Sequence, residues 1–567
     1  MTPGHDRNRE IATHAAHRFP SRRHRPGRAR IVGRGRGSAH PRGLAVTFLG
    51  GWPPAADRRI LTGSAHRVDL CRGGSSAVPG ADSLFAVVSA PTGSGHSTTP
   101  HFSRGVSEMR RRPRLLTIGM TVAGLMLVPV TASAHDPEEH GTHPPTGGAP
   151  DLHSDNMTLR KNLPKVGTAT QSDLAFEGRY AYAGTFTGFR IIDVSAPANA
   201  QQVAFFPCNG GQGDVSIYNG LLFSSVDTPQ TKPTCDSANT TASNPAAWEG
   251  VRIFDVRDPA NVKHLASVRT DCGSHTHTLA PAGKGSLFVY VSSYGLTPGS
   301  IGPHCQQDHG KISVIHVALK NPEKAKVVAT PPTTDVPTFD ASRLELDDLL
   351  PPGSLLDTRG CHDITVLKPL ELAAAACLSV GQIWDISDRT APKVLHTLTT
   401  EEVRAWHSAT FTWDGERAVF GDEAGGGALP RCRAQDPPTT GAVWIYDVAS
   451  GAELGHYKLP RAETGTCTMH NFNLVPGVSR DILVSAAYTA GTTVADLTDP
   501  ADPVEIGFYR AGDPIAANTW SSYWHNGFIY ANDITRGFDV FSLNHPAVAG
   551  AATLSRDNPQ TQEILFR

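Results

Sequence analysis

The chain has 567 residues, 51 Lys and Arg against 53 Asp and Glu, and a formal net charge of −2. That balance conceals two unlike parts: residues 1–134 hold 20 Arg, no Lys and 6 acids, while residues 135–567 hold 31 basic and 47 acidic residues. The acidic excess of the larger part excludes nucleic acid as its partner, and Gly 55 and Pro 43 with 18% charged residues exclude a helix bundle in favour of a turn-rich β protein.

Residues 1–108 are rich in Arg, Gly, Pro and His and show no sustained hydrophobic period. They read either as a basic disordered arm of the kind that binds nucleic acid or as an over-extended reading frame upstream of the true start. The second reading is adopted because residues 109–134 have the form of an export signal, which works at an N-terminus. Met109 opens a basic run, Leu115 to Val130 is apolar, and Ala132-Ser133-Ala134 is a small-x-small cleavage site. Residues 109–134 therefore predict a signal peptide. The apolar run is too short to span a bilayer, and no other stretch is long and apolar enough. The expected mature protein is secreted, begins at His135 and keeps no membrane span. Residues 135–154 read as a Pro/Gly-rich linker, although a terminal amine with His135, His140 and His143 also matches a Cu(II)-binding pattern.

From residue 155 to 567 one unit repeats. It is a Gly, alternating apolar residues, an Asp, and often a Pro a few positions later. The copies are GFRIIDVSAP (188–197), GVRIFDVRDP (250–259), GQIWDISDRTAP (381–392), GAVWIYDVAS (441–450) and GTTVADLTDP (491–500), with weaker ones at 312–322 and 536–546. Each is preceded by a strand, a tight turn and a second strand, and followed by one more short strand. Four strands per unit and seven units predict an all-β, seven-bladed β-propeller.

The repeat resembles that of the LVIVD-repeat family, secreted bacterial β-propellers, with Asp193, Asp255, Asp385, Asp447 and Asp496 at the motif Asp. The resemblance spans residues 170–545. His316 and Ser542 stand where two copies depart from it. It implies the fold and says little about activity. The motif aspartates are expected to accept hydrogen bonds from turn amides rather than to do chemistry.

In a propeller the first strand of each blade lines the channel, and loops open on its top face. Aligning the starts of the first strands gives Asp173, Asp214, His275, His362, His407, His470 and Ser521. Four histidines in register on adjacent blades predict a cluster at the channel mouth, suited to Cu, Fe or Zn. The tight turn at Asp414-Gly415 folds Glu423 back opposite His407, as a ligand, an orienting group or a catalytic base. His525 aligns with a turn position and is expected to be a surface residue without a role. Long loops at 227–249, 295–310 and 424–440, and an insert at 331–358, should cover the same face.

Cys71 lies in the N-terminal extension. The other eight cysteines, in an exported chain, imply disulfides. The blade register pairs them sequentially: Cys208 with Cys235, Cys272 with Cys305, Cys361 with Cys377, and Cys432 with Cys467. The segment 157–163 alternates yet belongs to no blade, and blade seven lacks a marked fourth strand after Pro546, so the two chain ends are expected to share a blade.

Two function classes lead, ahead of a metal-independent hydrolase or lyase. One is a secreted, monomeric binding scaffold whose top face takes an extracellular protein, glycan or small molecule. The other is a Cu- or Fe-dependent oxidoreductase with His275, His362, His407 and His470 as ligands and Glu423 beside them. No nucleophile elbow, P-loop or dinucleotide fingerprint stands at a strand–helix junction.

Overall fold

The computed structural model describes residues 150–346, 349–512 and 516–566. The N-terminal extension, the signal segment and the linker up to residue 149 lie outside them.

Seven sheets follow one another along the chain, antiparallel but for the parallel pairing of the C-terminal tail in blade four. Their innermost strands are Gln171–Glu177, Val215–Tyr218, Thr276–Gly283, Ile364–Leu367, Trp406–Phe411, Phe472–Leu474 and Thr519–His525. The repeated motif forms the third strand of each blade, Gly188–Asp193 in the first and Trp248–Asp255 in the second. Both faces of these strands are covered by neighbouring blades, so they read as near-continuous apolar runs. One such interface joins Leu174 and Phe176 of blade one to Tyr523, Phe538 and Val540 of blade seven. Each such side chain contributes about 1.5–3 kcal/mol on burial.

The five motif aspartates end their strands as turn acceptors. Asp193, Asp255, Asp385 and Asp496 each take a backbone N–H from two residues on, and Asp447 takes one from Ser450. Three positions before two of these aspartates stand Arg190 and Arg252, each only 1% exposed. Arg190 donates to Gln171, Gln202 and the carbonyls of Leu163 and Pro164. Arg252 donates to the carbonyls of Asn209 and Pro233. These guanidiniums tie each blade to the segments beside it.

The ring is closed by the chain ends. Met157–Pro164 forms the outer strand of blade seven, antiparallel to Gly537–Leu543. Leu152–His153, inside the stretch read as linker, adds a fifth strand to blade six. The C-terminal tail does something the repeat pattern gave no hint of. It turns under the ring and pairs with the inner strands of blades one and four, through Arg556–Asp557 and Thr561–Gln562. Side-chain amides substitute for missing backbone: Asn558 both accepts from and donates to Ile217, and Gln562 does the same with Phe411. The tail thereby links the inner strands of blades one, two, four and five.

His525 is not the surface residue that its place in the repeat implies. It is 3% exposed, stacked on Phe176 at 4.4 Å between ring centroids, with Nδ1 3.3 Å from Asp557 of the tail. Like the aligned Tyr218 it ends its inner strand, and what buries it is Phe176 of blade one and the C-terminal tail. His525→Ala is therefore expected to cost about 1–3 kcal/mol in chemical denaturation, whereas a surface residue would cost nothing measurable.

Four disulfides join Cys208–Cys235, Cys272–Cys305, Cys361–Cys377 and Cys432–Cys467, across sequence separations of 27, 33, 16 and 35. Three of them anchor the long top loops of blades two, three and five.

Candidate metal centre at the channel mouth

His275, His362, His407 and His470 stand at the top ends of the inner strands of blades three to six. The structure brings all four together. Ring centroids are 4.6 Å apart for His275 and His362, 3.5 Å for His362 and His407, and 4.5 Å for His407 and His470. The Nε2 atoms of His275 and His362 lie 2.9 Å apart.

The surrounding bonds set the tautomers. His275 Nδ1 lies 3.0 Å from the Asp227 carboxylate, which only accepts, so Nδ1 carries the proton. His470 Nδ1 lies 2.6 Å from the Trp520 carbonyl and must donate for the same reason. His407 Nδ1 meets Ser408 Oγ at 2.7 Å, and that hydroxyl gives its own proton to the His470 carbonyl. Three imidazoles therefore turn a bare Nε2 lone pair inward. The Nε2 atoms of His407 and His470 and Nδ1 of His362 are buried without a hydrogen-bond partner. A carboxylate or carbonyl on the outer nitrogen is the usual support of a metal-binding imidazole.

Glu423 completes the group. Its carboxylate oxygens lie 3.4 Å from His407 Nε2 and 3.7 Å from His470 Nε2, and it accepts the Tyr488 hydroxyl. Donor atoms of His407, Glu423 and His470 all fall within 4.8 Å of one another, as do those of His362, Asp363 and His407. Burial pushes the Glu423 carboxyl up to about 8, against the Tyr488 bond, which favours the charged form. Burial also carries His470 down to about 3 and His407 well below the ordinary imidazole range, with the other imidazoles adding to the depression of both. In such a site neutral imidazoles persist into acid.

The neighbouring loop explains how Glu423 is held. Asp422 accepts the amides of Arg404, Ala405 and Gly441, pinning both flanks. Gly427 then crosses Tyr488 at φ +66°, where an added Cβ would meet the ring at 2.6 Å. Only glycine fits both the backbone angle and the space.

A cavity of about 110 Å³ opens above the imidazoles. Its walls come from all four long top segments: Asp227 and Glu249, Leu296 and Thr297, Phe339 and Leu344, and Gly426. Deeper in the channel, Asp214 accepts the His277 amide and pairs with its ring. Asp173 accepts from Tyr523 and Gln560, so the channel interior is polar, with His277 Nε2 and Gln560 Oε1 left without a hydrogen-bond partner. Folding blade two about its own turn, as blade five folds at Asp414-Gly415, already brings Asp227 to this region beside Asp214, and the structure sets it on His275 of the next blade; Tyr488 and Tyr294 carry no signal in the sequence as neighbours of the cluster. They reach it from second strands and loops, whose lengths vary between blades.

The LVIVD repeat family matches residues 169–203, most of blade one. No curated protein matches the chain by sequence. Among solved structures, the chain is similar to the computationally designed Ika8 protein at 9% identity, over 67% of this chain and 98% of that one, with a TM-score of 0.37. It is similar to hydrazine synthase from Kuenenia stuttgartiensis at 12% identity, over 65% and 94%, with a TM-score of 0.43. A chain of the mitotic checkpoint complex is similar at 9% identity, over 74% and 100%, with a TM-score of 0.38. None of these likenesses bears on chemistry.

Proposed function

From a seven-bladed β-propeller that carries an LVIVD repeat in its first blade, we propose a ligand-binding protein whose top-face pocket is built around a transition-metal ion. His275, His362, His407 and His470 would hold the ion, with Glu423 as a further ligand or as the base beside it. The observation that carries this reading is the set of buried imidazole nitrogens with bare lone pairs and no hydrogen-bond partner. Burying such groups unpaired costs free energy that a cation would recover. The donor set suits copper, iron or zinc. Copper or iron would add redox chemistry, and the protein would then be an oxidoreductase.

In that role each part of the chain has a task. Asp227, Trp520 and Ser408 hold three ring orientations through the outer nitrogens. Tyr488 fixes the Glu423 carboxylate. The loops of blades two, three and five, anchored by disulfides, keep bulk water from the cavity. Elemental analysis of protein purified after supplementation with copper, iron and zinc tests the reading. Near-stoichiometric metal is expected. None above background would leave a second reading, a scaffold whose disulfide-anchored top loops grip a protein or glycan.

We also infer that the protein is exported. The segment 109–134 supports this, as do four disulfides, which persist in oxidising compartments. Among the described residues no helix is long and apolar enough to cross a membrane. N-terminal sequencing of protein from the medium should begin at His135, and recovery of residues 1–108 intact would contradict the inference.

A further inference from the structure

The cavity above the imidazoles has a charge pattern that selects its occupant. Three carboxylates line it, those of Asp227, Glu249 and Glu423, and no Lys or Arg does. Two of the three are already engaged. Asp227 accepts the Gln212 amide and His275, and Glu423 accepts Tyr488 and faces His407 and His470. The Glu249 carboxylate has no hydrogen-bond partner among the described residues. The cation that acts on it from a distance is Arg269, whose guanidinium is spent on the Ala247 carbonyl. The opposite wall is apolar: Leu296, Phe339, Leu344 and Leu378. Phe339, Leu344 and Leu378 belong to one packed cluster with Leu296 against it, so this wall is preformed.

We propose that this cavity receives a small organic monocation, an amine with an apolar body, whose ammonium sits on Glu249 and whose body lies against Leu296, Phe339 and Leu344. The proposal deepens the pocket reading and rests on it for the location. It does not depend on the metal for its sign. Without an ion the lining holds three carboxyl groups and no Lys or Arg, and burial holds those of Glu249 and Glu423 up to about 8. Above that pH three carboxylates and a divalent ion on neutral imidazoles sum to minus one, which a single ammonium neutralises, and below it the ammonium takes the place of the Glu249 proton. An anion meets an uncompensated carboxylate in either state. A cavity of this size holds roughly eight to ten non-hydrogen atoms, which fits one aromatic or branched amine and excludes a peptide.

The test uses the intact protein and three probes of equal bulk: 2-phenylethylamine, 2-phenylethanol and phenylacetate. Calorimetric titration should give the amine at least tenfold tighter than the alcohol, and no detectable heat for phenylacetate. Glu249→Gln should bring the amine down to the level of the alcohol and leave the alcohol unchanged. Leu344→Ala, on the apolar wall, should weaken amine and alcohol alike, which keeps the proposal testable should the Glu249 variant fold poorly. Phenylacetate binding as well as the amine, or Glu249→Gln leaving the amine preference intact, would overturn it. Elemental analysis of the same samples separates the two readings. Metal-free protein that prefers the amine sinks the metal and keeps this proposal. Metal-loaded protein that prefers phenylacetate sinks this proposal and keeps the metal.

Discussion

If the channel-mouth site holds a metal ion, His407→Ala and His470→Ala are each expected to lower its affinity by at least about a hundredfold, or ~2.7 kcal/mol, read by competition with a chromogenic chelator. Each removes an Nε2 lone pair that nothing else in the pocket replaces. Asp227→Asn, which weakens the support of His275, is expected to lower it about 10- to 100-fold. The pH dependence assigns Glu423. In the metal-free protein its carboxyl is held up to about 8, chiefly by burial, so below that pH an incoming cation must displace its proton. Affinity should rise about tenfold per pH unit up to about 8 and then level. Glu423→Gln should abolish that rise. If Glu423 is not a ligand, wild type will show no such slope.

The histidines titrate in the opposite sense. His470 is lowered to about 3 and His407 is lowered further than an exposed imidazole, mainly by burial. Below about pH 6.5 the unfolded chain takes up protons that the folded chain refuses, so the metal-free fold loses stability as pH falls from there toward 3. Bound metal should suppress that loss, since it stabilises only the folded state. Acid melting curves that are identical for metal-free wild type and the His407→Ala, His470→Ala double variant would contradict the burial of neutral rings.

Deleting residues 155–166 is expected to destabilise the whole propeller by about 5 kcal/mol or more, lowering the Tm by at least about 5 °C. The deletion removes the outer strand of blade seven, whose register runs from Met157 opposite Leu543 to Pro164 opposite Gly537. It also removes the Leu163 and Pro164 carbonyls that receive the buried Arg190 guanidinium. An orphaned buried cation is among the most costly defects a fold can carry. Because the blades pack on one another in a closed ring, the loss should appear as one cooperative transition at lower temperature. An unchanged Tm would show that blade seven closes without this strand.

Local periodicity in the sequence determined the blades. A motif of Gly, alternating apolar residues and Asp recurs because each blade needs the same buried third strand and the same turn. Counting copies therefore counts sheets, and aligning copies puts His275, His362, His407 and His470 at one height. The same register was enough to pair eight cysteines, since each disulfide closes within one blade or between sequential neighbours. Tertiary structure alone decided what lies between blades and across the ring. Asp227 reaches His275 from 48 residues away, and Tyr488 reaches Glu423 from 65. Asn558 completes a strand 341 residues upstream. Such contacts follow no repeat: loop lengths differ from blade to blade, and the tail belongs to no blade at all. His525 shows the cost of reading position by repeat. Its place in the unit predicts exposure, but the C-terminal tail arrives from outside the unit and buries it. Ring tautomers are decided the same way, by the carbonyl, hydroxyl or carboxylate that packing happens to bring to each Nδ1.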